Sequence, residues 1–189
     1  MARTPSSMLA LGTPCPPFSL IDVRSGRNVT SEQLLAGADG LLVMFICNHC
    51  PFVVHVLPAL DRLEAQFADT GLRIVAINAN DTTAYPQDGP GPMADLADER
   101  GWGFPFLLDD TQEVAKAFAA ACTPDFFLFG KEGTLTYRGQ LDDSRPGNGV
   151  AVTGGDLIAA ISATLRGEAP NPEQKPSLGC NIKWRDAGK

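Results

Sequence analysis

Leu41-Leu42-Val43-Met44-Phe45-Ile46 is apolar at every position, and Leu72 to Ile77 is nearly so. Strands buried on both faces of a parallel sheet read this way. Between them Val53, Val56, Leu57, Leu60, Leu63 and Phe67 recur at helical spacing. Pro51 suits the first helical turn, Pro58 predicts a kink, and Gly71 marks the end. The segment predicts strand, helix, strand, a right-handed βαβ crossover.

The same periodicities place the other elements. Phe18 to Ile21 is a short strand. Thr30 with Gln33 forms a capping box for a short helix that stops at Gly37. Asn80 to Pro92 reads as a loop, Met93 to Arg100 as a helix and Phe104 to Leu108 as a strand. Asp110 with Glu113 caps a helix whose face is Val114, Ala115, Phe118 and Ala119. Phe126 to Phe129 turns through Lys131-Glu132-Gly133 into Thr134 to Arg138, an antiparallel hairpin. After a polar, Gly-rich insertion over 140–155, Asp156 caps a helix carrying Leu157, Ile158, Ile161 and Leu165. The fold class is α/β: a mixed sheet with parallel core strands, a C-terminal antiparallel hairpin and helices on both faces. Residues 12–167 form one domain, 1–11 an arm and 168–189 an extended tail.

Composition narrows the function. A chain of 189 residues predicts one domain. A net charge of -7 argues against nucleic acid. The longest apolar run, Leu41 to Cys47, is too short to span a bilayer, and the first residues do not read as a secretory signal, so a cytoplasmic location is expected. Cys15, Cys47, Cys50, Cys122 and Cys180 are odd in number and scattered, which disfavours a secreted disulfide framework.

The close pair is Cys47-Asn48-His49-Cys50, followed by Pro51, where a buried strand meets a helix. Unpaired amides and the helix dipole favour an anion there, and a thiolate is that anion. Cys47 is the expected exposed nucleophile with a lowered pKa, and Cys50 the resolving thiol. A positive charge on His49 would stabilise the thiolate further. Thr123-Pro124 enters a strand; in the cis form it would leave backbone groups free to pair with an extended substrate. Zinc wants four ligands, and only His49 and His55 are available beside the pair, so no metal is expected. Cys15, Cys122 and Cys180 read as passive apolar thiols, although Cys122 lies two residues from Pro124, and Cys180 would join the chemistry if the tail folded back. Arg138, Asp142, Asp143 and Arg145 form either a lid or a solvated loop with ion pairs.

Together these segments resemble the thioredoxin-like superfamily. Gly12-Thr13-Pro14-Cys15-Pro16-Pro17-Phe18-Ser19-Leu20 resembles the opening of its AhpC/TSA (alkyl hydroperoxide reductase/thiol-specific antioxidant) branch, with Cys15 where that branch usually has Ala. Residues 47–53, 122–126, 137–146 and 179–184 are similar to recurring segments of its peroxiredoxin-like "thioredoxin family protein" group. The resemblance implies a thiol–disulfide oxidoreductase without organic cofactor, acting on a protein or small-molecule disulfide. An external thiol or thioredoxin-type reductant would supply the electrons. It also implies an alternative, a thiol peroxidase with Cys50 peroxidatic and Cys47 resolving; a reading of another class is a non-enzymatic redox sensor or binding module. In the peroxidase alignment Cys47 replaces the peroxide-positioning Thr, and Val43 the motif's Pro.

Overall fold

Strand β4 (Gly40–Phe45) buries every residue, and its side chains alternate between two cores. Leu42 and Met44 face one side of the sheet, and Leu41, Val43 and Phe45 the other. Period-two alternation in a fully covered strand requires a layer on each face. The computed structural model, which describes residues 3–185, supplies both layers. α2 (Pro51–Gln66), α3 (Pro90–Arg100) and α5 (Gly155–Leu165) pack with Leu42 and Met44. α1 (Ser31–Leu35) and α4 (Glu113–Ala117) pack with the opposite set, where the Phe118 ring meets Phe45, Phe127 and Phe129 edge-on.

The remaining strands are β1 (Arg3–Pro5), β2 (Ser19–Asp22), β3 (Asn28–Thr30), β5 (Leu72–Asn78), β6 (Phe106–Leu108), β7 (Cys122–Thr123), β8 (Asp125–Gly130), β9 (Leu135–Gly139) and β10 (Leu178–Asn181). The main sheet runs β3-β2-β6-β5-β4-β8-β9. β4, β5 and β6 are parallel, while β8 and β9 form the expected antiparallel hairpin. This is the thioredoxin-like arrangement. Among the described residues no helix is long and apolar enough to cross a membrane.

One local expectation holds in full, and several others change. The Thr30–Gln33 capping box is present in full. α2 runs unbroken through Pro58. α3 begins at Pro90, inside the expected loop, because Pro fits the first helical turn. The α4 amides are met by Asp109, not Asp110: Ala115 N donates to Asp109 Oδ2 at 2.8 Å. Asp156 lies one residue inside α5, whose N-cap is Gly154 with φ +74°. The insertion over 140–155 is a solvated loop with an ion pair only in part: exposed Asp143 pairs with Lys175 at 2.7 Å, while Arg145 donates to the carbonyls of Asp142 and Ser144 at 2.6 Å. Asp142 is buried there and accepts from the amides of Ser144, Thr153 and Gly154 at 2.7–2.8 Å. Arg138 turns away from it, donating to Leu9 O at 2.7 Å and Gln174 Oε1 at 2.7 Å.

The arm and tail hold the largest difference. Arg3–Pro5 and Leu178–Asn181 pair with each other, and β10 also pairs with β7, giving a second sheet in the order β1-β10-β7. The rest of both predicted segments is irregular, and residues 1–2 and 186–189 lie outside the described ones.

Candidate active site

Three pieces of chain meet where β4 ends and α2 begins. Cys50 is the N-cap of α2, and Pro51 fixes its first turn. Cys47 lies just beyond β4. Thr123 and Pro124 join β7 to β8 through a cis peptide bond, beside both sulfurs. Cys47 Sγ lies 3.4 Å from Thr123 Oγ1, and Cys50 Sγ lies 3.1 Å from Thr123 O. Both cysteines are fully shielded, at 1% and 0% exposure, and all five cysteines are thiols.

The charge falls on the sulfur opposite to the one expected. A hydrogen bond from the Cys47 thiol, added to those from Cys180 and Thr123 and to the Val53 amide, holds Cys50 at about 4 against the opposing effect of burial. One contact works the other way, because Thr123 O accepts the Cys50 proton in the thiol form. Cys47 is raised, first because its proton is committed to Cys50, then by burial and by the nearby Asp88 carboxylate. The expectation of an exposed, acidic Cys47 is therefore corrected. The helix N-terminus acts on the residue that caps it, and that residue is Cys50.

Asp88 organises the turn between the cysteines. Its side chain is completely buried. Asp88 Oδ1 accepts from Asn48 N at 2.9 Å and His49 N at 3.3 Å, while Oδ2 lies 2.6 Å from His49 Nδ1 and accepts from Asn80 Nδ2 at 2.8 Å. The His49 ring also stacks on Tyr85 at 5.4 Å between centroids. Its first partner is thus a carboxylate, where the sequence suggested a sulfur. Sequence reasoning missed Asp88, which lies in the stretch read as a loop. A signal was available in Asn78 and Asn80, two polar residues buried at the end of an apolar strand. Cys47, His49 and Asp88 offer ligand atoms within 4.8 Å of one another, but the Asp88 oxygens already serve the four donors just named.

Of the other candidates, His55 is buried at Nε2 on α2, one turn beyond Cys50, and Cys122 Sγ donates to Pro124 O at 3.6 Å. Cys15 sits apart near the N-terminal segment, and burial raises it to about 12. The Thr123 backbone is not open to a substrate, because β7 pairs with β10 in a register that sets Cys180 opposite Thr123.

Asp125 follows the cis bond and is completely buried, and burial pushes it up to about 7. The native state holds this proton up to about pH 7, whereas the unfolded chain releases it near 3.9. Stability therefore falls as pH rises between those values and is flat above them. Urea unfolding of Asp125→Asn should show that slope removed, a difference of up to about 4 kcal/mol between the two ends. An unchanged profile would mean that Asp125 is ionised throughout.

A shielded dithiol thus lies at a helix N-terminus within a thioredoxin-like sheet. The Redoxin family model matches residues 10–154. The chain belongs to the Redoxin family. An uncharacterized conserved protein from Geobacillus kaustophilus is 49% identical, with TM-score 0.95 over 99% of this chain and 98% of that one. A thioredoxin family thiol:disulfide interchange protein from Chlorobium tepidum shares the fold at 19% identity, with TM-score 0.63 over 82% of this chain and 98% of that one. The thiol-disulfide oxidoreductase ResA of Halalkalibacterium halodurans is 24% identical over 118 residues, 62% of this chain and 61% of that protein.

Proposed function

We propose that this protein is a thiol–disulfide oxidoreductase in which Cys47 and Cys50 cycle between dithiol and disulfide. The observation that carries this reading is geometric: both thiols are buried where β4 meets α2, with Cys50 as the helix N-cap and Thr123 against both sulfurs, at 3.4 Å from Cys47 Sγ and 3.1 Å from Cys50 Sγ. Cys50 attacks a substrate disulfide and forms a mixed disulfide as the first substrate thiol leaves. Cys47 then attacks Cys50 Sγ, and the second substrate thiol leaves. An external thiol restores the dithiol. Similarity to ResA supports the same class of reaction.

Equilibration with glutathione buffers, followed by alkylation and mass measurement, tests this. One two-electron transition joining Cys47 to Cys50 is expected. Because a stabilised thiolate favours the reduced form, the potential should lie above the roughly -270 mV of thioredoxin, toward the -120 mV of strong oxidants. No Cys47–Cys50 disulfide at any poise would reject the dithiol cycle.

The charge on Cys50 also favours a second reading, a thiol peroxidase with Cys50 peroxidatic and Cys47 resolving. Stopped-flow mixing with hydrogen peroxide separates the two, since a peroxidase must outpace a free thiol by orders of magnitude.

A further inference from the structure

Resting on that reading, we propose that Cys180 is a second resolving thiol. When Cys50 carries a mixed disulfide, Cys180 displaces the substrate thiol and closes a Cys50–Cys180 disulfide. The fold brings residue 180 to residue 50 through β10. Cys180 is directly opposite Thr123 in the β10–β7 register, and its thiol hydrogen-bonds to Cys50. Cys50 therefore has two thiols against it, Cys47 on its own loop and Cys180 on the returning tail.

Placement of the tail supports a role beyond filling space. A Cβ on Gly179 would lie 2.0 Å from Thr123 O and 3.2 Å from Pro124 N, so glycine lets β10 approach this close. Strands β1 and β7 flank β10. Ser177 Oγ donates to Pro124 O at 2.6 Å, Ile182 N to Ala121 O at 3.1 Å and Lys183 N to Asn80 Oδ1 at 2.9 Å. The sulfur is thus held at Cys50 from both sides along the chain. β10 occupies the edge that an extended substrate was expected to take, with Cys180 opposite Thr123. Cys122 is equally buried, but its thiol faces the Pro124 carbonyl, as a passive cysteine would.

The step balances. Cys180 loses its proton, and the thiolate attacks Cys50 Sγ. The Cys50–Cys180 bond forms as the bond to the substrate sulfur breaks, and the departing thiolate takes up a proton. Substrate disulfide is reduced to two thiols, and the protein gains one disulfide.

Reduced Cys47→Ser protein is treated with glutathione disulfide, quenched in acid, alkylated and mapped by mass spectrometry. The expected product is a Cys50–Cys180 disulfide without retained glutathione, and adding Cys180→Ser should leave glutathione on Cys50. Cys47→Ala, run alongside, guards against a packing fault from the serine. Absence of a Cys50–Cys180 disulfide from both single variants overturns the proposal. Wild type in the same series separates the two readings. If it forms Cys47–Cys50 while both variants lack the Cys50–Cys180 bond, only the second resolving thiol is lost. If it forms no disulfide involving Cys50, the dithiol cycle is lost as well.

Discussion

Cys50→Ser should slow attack on a chromogenic aromatic disulfide at least about tenfold at pH 6, whereas Cys47→Ser should retain the first attack. The argument weighs two opposing effects. A thiol held at about 4 is fully ionised across pH 5–8. In Cys50→Ser the bond to the Cys50 sulfur is gone, but burial and the Asp88 carboxylate still raise Cys47, so less than about one part in a thousand is thiolate at pH 6. The more basic sulfur is intrinsically the better nucleophile, but that gain follows a Brønsted slope of only about 0.4–0.5 and does not recover the lost fraction. The pH profile is the sharper readout. Wild-type rates should be flat from pH 5 to 8, whereas Cys50→Ser rates should climb about tenfold per unit as residual Cys47 ionises. A wild-type profile with that same slope would return the nucleophile to Cys47.

The second large effect belongs to Asp88. Asp88→Ala strips the acceptor from the Asn48 and His49 amides, His49 Nδ1 and Asn80 Nδ2. Leaving buried partners of a charged group unpaired costs about 3–5 kcal/mol. For a domain of ordinary stability that is a large share of the total, and the urea midpoint should fall accordingly. Asp88→Asn keeps the shape and part of the acceptor capacity, so its cost should be smaller. It also removes the carboxylate that raises Cys47, so the Cys47 thiol should titrate at lower pH than in wild type. A Cys47 titration unmoved by Asp88→Asn would show that the carboxylate does not act on the sulfur.

The β4–α2–β5 unit was legible because its signals are local. Six buried positions in a row, a helical apolar stripe and a proline at the first turn each reflect one element's own environment. The capping box and the β8–β9 hairpin were legible for the same reason. The second sheet was not: Arg3–Pro5 and Leu178–Asn181 are three and four residues long and lie at opposite ends of the chain. Such strands exist only through each other and through β7, so no window of sequence shows them. The partition of charge between the cysteines was half-legible. Pro51 at the first helical turn makes residue 50 the cap, which already favours Cys50. The remaining donors, Cys180 and Thr123, come from distant segments, and so does the Asp88 carboxylate that opposes a charge on Cys47.

The order in which the chain is made gives β10 a temporal meaning. The seven strands of the main sheet end at Gly139, whereas the strand beside Cys50 begins only at Leu178. Domains begin to fold during synthesis, from the N-terminal side. A growing chain can therefore assemble its dithiol before the segment that shields it has been translated. In that interval Cys47 and Cys50 meet the redox couples of their surroundings without the cover that leaves Cys50 with no exposed surface in the finished fold.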